Sequence, residues 1–272
     1  MMKAWTIAKQ ELKIIMRSKW IVSFALLFTS LACITVYFGS TNDQSGFSGF
    51  NRMTASLLNL SLFLIPLLTL LTGSMFLAGE REDGRFMLLL SAPISPFSII
   101  FGKYIGILLA LLSVISLGYG TIGIIVAALF RQASTHLFLF FAFSLLLMLM
   151  FLSVSLVIGM MSTTRFQALG LSLLSWALSV LFYEFIVIAI TSFVHKTMVL
   201  PIISTSVFLN PVELVRVWTI ISLKSGTIFG PSLYDFTIWA EGVYGQIMFI
   251  AATIIWMIVP LFIAYLLMKK GV

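Results

Sequence analysis

Residues 78–103 read AGEREDGRFMLLLSAPISPFSIIFGK and form the one long polar break between two apolar stretches in the first half of the chain. Five charges fall within six residues of this segment, although only 9% of the whole chain is charged. They are Glu80, Arg81, Glu82, Asp83 and Arg85. Such a run is either a solvated loop between two helices or a docking surface for a soluble partner. Both interpretations place the segment outside the lipid.

The flanking sequence has the composition of a membrane protein. Of the 272 residues, 61% are hydrophobic, and the mean hydropathy is +1.14. Soluble domains contain only about 45–50% apolar residues. The net charge of +7 is spread over the chain ends and short loops, so nucleic acid is not an expected partner. Cys33 is the only cysteine, which excludes an intrachain disulfide.

Six apolar stretches are long enough to span a bilayer, since a transmembrane helix needs about 20 apolar residues. They are residues 20–39, 54–77, 102–129, 136–161, 168–193 and 243–267. We therefore predict an all-α, polytopic membrane protein with six transmembrane helices. Residues 1–272 would form a single transmembrane domain.

The distribution of basic residues predicts that both termini are cytoplasmic, because cytoplasmic loops are enriched in Lys and Arg. Eleven basic residues fall on the side of the termini, namely Lys3, Lys9, Lys13, Arg17, Lys19, Arg81, Arg85, Lys103, Arg165, Lys269 and Lys270. Five fall on the other side, namely Arg52, Arg131, Lys196, Arg216 and Lys224. Residues 78–101 would then be a cytoplasmic loop.

Residues 1–19 precede the first span and are predicted to form an amphipathic helix. Trp5, Ala8, Leu12 and Ile15 recur at helical spacing, while the basic residues between them fall on other faces. This pattern is typical of a helix in the cytoplasmic membrane interface. The alternative is a simple cytoplasmic extension of the first span.

Small residues mark the start of the third span. Gly102 and Gly106 are four residues apart, and glycine lets membrane helices approach closely. We expect this helix to pack deep in the bundle or at a subunit interface.

Glu184 is an acidic residue inside the apolar run SVLFYEFIVIAI. An ionisable side chain at membrane depth is costly and indicates a function by default. It is either part of a transport pathway or a structural partner of a helix end or of a basic residue such as Arg131.

Residues 194–242 form the longest predicted extracytoplasmic segment. Asn210 followed by Pro211 is a helix-start signature, and Glu213 adds a favourable negative charge in the first turn. A short helix over residues 211–222 is therefore predicted. It is either a capped surface helix or a lid or partner-docking element, whose candidate residues are Asn210, Pro211, Glu213 and Arg216.

The central segment resembles the ABC type-2 permeases, the membrane subunits of ATP-driven exporters. Members often read E-R-x-x-G-T-x-x-x-L-L-x-x-P-x-x-R followed by a G-K pair. The matching residues are Glu80, Arg81, Gly84, Leu89, Leu90, Pro93, Gly102 and Lys103. Arg85 stands where threonine is usual, and Pro96 stands where arginine is usual.

The resemblance implies a homodimer in the bacterial inner membrane that carries two cytoplasmic ABC ATPase subunits. An extracytoplasmic accessory protein is a further partner that it allows. The chain has no G-x-x-x-x-G-K-[ST] motif, so ATP is expected on the partner subunit and no cofactor on this chain. The implied coupling residues are Glu80, Arg81, Glu82, Asp83, Gly84, Arg85, Pro93 and Lys103.

The opening AWTIAKQEL, Glu184 and LNPVELVR at 209–216 are similar to the branch of this family that serves maturation of copper-containing nitrous oxide reductase. The alternative is an exporter of drugs, antimicrobial peptides or lipids. A stand-alone secondary transporter or channel is less favoured, because only Glu184 is an intramembrane ionisable candidate. An intramembrane enzyme would need a nucleophile with its base or a metal motif, and His136 and His195 are isolated.

Overall fold

A computed structural model describes residues 2–40, 52–86, 94–130 and 135–269 of the chain. The α-helices in these ranges are α1 (Met2–Met16), α2 (Lys19–Ser40), α3 (Arg52–Glu82), α4 (Pro96–Phe130), α5 (Thr135–Met161), α6 (Arg165–Trp176), α7 (Tyr183–Phe193), α8 (Lys196–Leu209), α9 (Pro211–Ser222), α10 (Tyr234–Glu241) and α11 (Val243–Lys269). A π-helical turn, Ala177–Phe182, joins α6 to α7, and the 3₁₀ turns Gly226–Phe229 and Pro231–Leu233 precede α10.

Six helical spans are long and apolar enough to cross a membrane, which confirms the prediction. They are Lys19–Tyr37, Met53–Glu82, Pro96–Ala128, Leu137–Met161, Arg165–Phe193 and Val243–Lys269. The predicted ends differ most around the central segment, where α3 continues to Glu82 instead of ending at 77 and α4 begins at Pro96 instead of 102. Most of the charge cluster is therefore the end of a helix.

The centre of the bundle is the contact between α3 and α5, which depends on small residues. A Cβ atom added at Gly73 would lie 2.0 Å from Ser155 Oγ, and one added at Gly159 would lie 2.8 Å from Leu77 Cβ. These glycines let the two backbones approach closely, as membrane helix interfaces require. The other face of the bundle is apolar and exposed, mainly on α2, on the Arg165–Phe193 span and on α11.

The amino-terminal helix α1 lies against α4. Ala8 and Ile15 are fully buried, and a Cβ atom at Gly106 would lie 2.5 Å from Glu11 Cβ and 2.8 Å from Ala8 O. The close approach expected near Gly106 therefore exists, and its partner is α1. Trp5 lies off this buried face and is exposed, with Lys9 Nζ 5.7 Å from its ring centroid.

The segment 194–242 folds into helices that turn back into the bundle. The predicted helix 211–222 is confirmed as α9, and it meets α8 at a bend of 105°. The surface-helix interpretation is wrong, because eight residues of α9 are buried. Its Trp218 ring packs 5.2 Å from Phe143 of α5 and 5.4 Å from Phe249 of α11, measured between centroids. We call this sharply bent α8–α9 pair the re-entrant element.

Candidate functional site

A buried ion cluster joins three helices at the end of the bundle that carries α1 and the central segment. Lys103 Nζ of α4 donates hydrogen bonds to Glu11 Oε1 of α1 and to Glu80 Oε2 of α3. The Lys103 residue is 3% exposed and Glu11 is 5% exposed. We call these three residues the Glu11–Lys103–Glu80 triad.

The triad fixes the relative positions of α1, α3 and α4. Ions out of water are stable only when they are paired with good geometry, and removal of one partner leaves an uncompensated charge. Since two carboxylates share one ammonium group, removal of Lys103 would leave both buried carboxylates without a cation. The triad therefore links α1 to the end of α3 and to the start of α4.

Glu11 is a member of this site that sequence reasoning missed. Its position in the sequence could have revealed it, because Glu11 lies three residues after Ala8 and four before Ile15. It therefore shares the buried face of α1 with these two residues. An acidic residue on the buried face of a helix implies a cationic partner. Here that partner is 92 positions away along the chain.

Arg81 lies on the same end of α3 but binds α5. Its guanidinium donates a hydrogen bond to the carbonyl of Met160, one of the last carbonyls of that helix. The guanidinium also lies 6.0 Å from the centroid of the Phe86 ring. The hydrogen bond holds the end of α3 against the end of α5, and the ring contact holds Phe86 beside the end of α3.

Glu82 and Asp83 attach the start of α6 to the end of α3. The backbone N–H of Arg165 donates to Glu82 Oε2 at 2.8 Å, and Arg165 Nη2 donates to Asp83 Oδ2 at 2.9 Å. Arg85 lies 3.4 Å from the same Asp83 oxygen. The side chains of Arg85 and Arg165 are 63% and 53% exposed, so these charges remain open to a soluble partner. Arg165 was not a predicted site residue.

Gly84 allows the chain to turn after α3. Its φ is +73°, and its N–H donates to the carbonyl of Arg81 at 3.1 Å. This left-handed conformation favours glycine over residues that carry a Cβ atom. The predicted site residue Pro93, with Leu89 and Leu90, lies outside the described residues.

At the other end of the bundle, Asn210 fastens the bend of the re-entrant element. Its Oδ1 accepts a hydrogen bond from the N–H of Val212 at 2.9 Å, which is the predicted cap with Pro211 in the first turn. Its Nδ2 donates to the carbonyl of Ser179 at 2.7 Å, inside the π-helical turn. A π turn disturbs the regular helical hydrogen bonding and is frequent at functional sites.

Glu184 forms an ion pair with Arg216 of the re-entrant element. Arg216 Nη1 donates to Glu184 Oε1, and the same nitrogen lies 3.2 Å from Glu213 Oε1. Tyr183, next to Glu184, donates its hydroxyl to the carbonyl of Ser206 at 2.6 Å. The partner suggested from sequence, Arg131, lies outside the described residues. The structure therefore brings Glu184, Glu213 and Arg216 together, while Asn210 caps the start of α9.

Comparisons with known proteins show the family to which this chain belongs. The sequence model described as ABC-2 family transporter protein matches residues 5–271. The chain is 29% identical to a probable ABC transporter permease protein NosY from Stutzerimonas stutzeri, over 85% of this chain and 86% of that protein. It is also 29% identical to a probable NosY permease from Pseudomonas aeruginosa, over 78% and 79% of the two chains. With its six apolar spans, the chain therefore belongs to the ABC-2 transporter family, as a multi-pass permease subunit of the bacterial inner membrane.

Proposed function

We propose that this chain couples ATP hydrolysis on a separate cytoplasmic ABC ATPase to movement of its own transmembrane helices. The observation that carries the proposal is the Glu11–Lys103–Glu80 triad, which joins α1 to the end of α3 and to the start of α4. A force applied to α1 or to residues 78–101 would move α3 and α4 together. The chain itself supplies no ATP-binding motif, no catalytic residues and no bound cofactor in this proposal.

The exposed charges beside the triad form the proposed ATPase contact. Asp83, Arg85 and Arg165 lie at the surface, and residues 87–93, with Pro93, follow directly in sequence. Charged side chains at a rim steer and orient a protein partner. The buried members Glu80 and Lys103 then transmit the force, and Gly84 sets the direction in which the segment leaves α3.

A charge exchange separates docking of the ATPase from attachment of α6. In Asp83→Arg the ion pair with Arg165 is lost, and in Asp83→Arg with Arg165→Asp it is restored with opposite polarity. If Asp83 contacts the ATPase, the complexes that contain the single or the double variant both hydrolyse ATP more slowly than the parent complex. The measurement is the ATPase rate of the complex purified through a tag on this chain. Full rescue by the double variant would show that Asp83 acts only within this chain.

Purification itself tests the more basic part of the proposal. We expect mass spectrometry of the tagged chain, extracted from native membranes in mild detergent, to find a stoichiometric subunit with a phosphate-binding Walker motif. A monodisperse chain that retains no such subunit in several detergents would contradict the proposal.

The proposed orientation places both termini and residue 85 in the cytoplasm and residue 45 outside. Replacing Cys33 with serine gives a cysteine-free background, into which Ser45→Cys and Arg85→Cys can be introduced singly. We expect a membrane-impermeant maleimide to label position 45 in intact cells and position 85 only after the membrane is opened. Arg85 is preferred to Gly84, whose positive φ disfavours a side chain. The reverse labelling pattern would overturn the topology.

We further propose a homodimer that serves maturation of copper-containing nitrous oxide reductase, with an extracytoplasmic accessory protein. The support is the similarity to two NosY permeases over most of the chain. We expect a deletion strain to produce nitrous oxide reductase without its copper absorption bands, and a plasmid copy to restore them. Normal copper loading in the deletion strain would favour the alternative, an exporter of drugs, peptides or lipids.

A further inference from the structure

A cavity of about 300 Å³ lies between α7 and the re-entrant element, at the end of the bundle opposite the triad. Its walls come from α7, α8 and α9 and from residues 229–236. Most of the wall is hydrocarbon, from Val187, Ile203, Val207, Val217, Phe229 and Phe236. Its volume is at the lower end of the range of about 300–1,000 Å³ that is usual for small-molecule sites.

Two carboxylates are the only charged side chains among the described residues that line this cavity. Glu213 has a side chain that is 16% exposed, and the side chain of Glu184 is 50% exposed. Both carboxylates contact the same Arg216 Nη1. One guanidinium faces two carboxylates, so when both are ionised the cluster carries one uncompensated negative charge against an apolar wall.

We propose that this cavity binds a primary ammonium group carried on a small apolar body. An ammonium group has three hydrogen-bond donors, and the lining offers Glu184, Glu213 and the hydroxyl of Ser204 as acceptors. The cation supplies the missing positive charge, while the alkyl or aryl body covers the hydrocarbon wall. Calcium requires about six to eight oxygen ligands, which this mainly apolar lining does not provide.

The ammonium group can come from two sources, a free amphiphilic amine or the headgroup of an aminophospholipid. The chemistry is the same in both, and the membrane location of α7 gives access to either. The composition of the bilayer used in the experiment distinguishes them.

The test uses the full chain in phosphatidylcholine nanodiscs and a hexylamine that carries a photoreactive diazirine. We expect light to crosslink this probe to peptides of α7 and α8. The corresponding diazirine alcohol, which is neutral, should label these peptides about tenfold less, the ratio that about 1.4 kcal/mol of binding free energy produces. Equal labelling by the amine and the alcohol would overturn the proposal.

Three variants locate the site. Glu213→Gln should reduce amine labelling about tenfold and leave alcohol labelling unchanged, because only the ionic contact is lost. Glu241→Gln is the matched control, since Glu241 is exposed on α10 and outside this lining, and it should label like the parent. Ser204→Phe fills the cavity and should abolish labelling by both probes. Parental labelling in Glu213→Gln or in Ser204→Phe would contradict the proposal.

The same labelling in nanodiscs that also contain phosphatidylethanolamine distinguishes the two sources of the ammonium group. Reduced amine labelling in these nanodiscs identifies the lipid headgroup as the occupant, and unchanged labelling identifies a free amine. Absence of amine labelling in the pure phosphatidylcholine nanodiscs would exclude the site altogether.

Discussion

Replacing Lys103 with methionine is expected to lower the free energy of unfolding by about 3–5 kcal/mol. Methionine keeps most of the side-chain volume but removes the charge, which leaves Glu11 and Glu80 buried without their shared cation. The measurement is unfolding of the purified chain by sodium dodecyl sulfate in mixed micelles, followed by circular dichroism. No other single ion pair among the described residues is as buried as this one.

Two further variants make this result specific to the triad. Arg85→Met removes an exposed cation whose side chain is 63% accessible, and we expect a loss of less than about 1 kcal/mol. Lys103→Met combined with Glu11→Gln and Glu80→Gln removes all three charges and should recover most of the lost stability. A Lys103→Met chain as stable as the parent would refute the role of the triad, as would failure of the triple variant to recover.

Replacing Asn210 with alanine is expected to cost about 2–3 kcal/mol. Alanine removes the cap on the N–H of Val212 and also the donor to the carbonyl of Ser179, and both backbone groups lie in a largely buried region. Asn210→Ser keeps a cap acceptor but has no reach to Ser179, so its cost should be about half as large. The same detergent titration measures both variants.

The difference in stability between the alanine and serine variants separates the contributions of the two hydrogen bonds of Asn210. Equal costs for alanine and serine would show that the hydrogen bond to the π turn carries the whole effect. No measurable cost in either variant would show that Asn210 does not stabilise the bend. Tyr183, whose hydroxyl bonds the carbonyl of Ser206, provides an independent attachment that both variants retain.

The six spans were predictable because lipid imposes the same requirement on each of them, about 20 consecutive apolar residues. The start of α9 was predictable for a local reason, since Asn210 and Pro211 supply the cap and the first-turn conformation within two residues. Both signals are contained in short stretches of sequence. The family motif around Glu80 and Lys103 was visible for the same reason.

The remaining features depend on contacts between distant residues. The helix α3 extends past 77 because Lys103 neutralises Glu80 and Arg165 binds Glu82 and Asp83, which hydropathy alone does not include. The pairing of Glu184 with Arg216 joins residues 32 positions apart, and that of Glu11 with Lys103 joins residues 92 apart. Helix α8 was missed because His195, Lys196 and Pro201 make its sequence resemble a loop.

We expect the triad to transmit nucleotide-driven movement from the proposed cytoplasmic ATPase to the far end of the bundle. Spin labels at Phe193→Cys and Tyr244→Cys, both highly exposed, report that end in a Cys33→Ser background. Their distance distribution is measured by double electron–electron resonance in the complex with its ATPase, without nucleotide and with trapped ATP. We expect the distance distribution to shift in the parent and not to shift in the triple variant Lys103→Met, Glu11→Gln, Glu80→Gln, although that variant still assembles. The same shift in the triple variant would show that the triad does not transmit the movement.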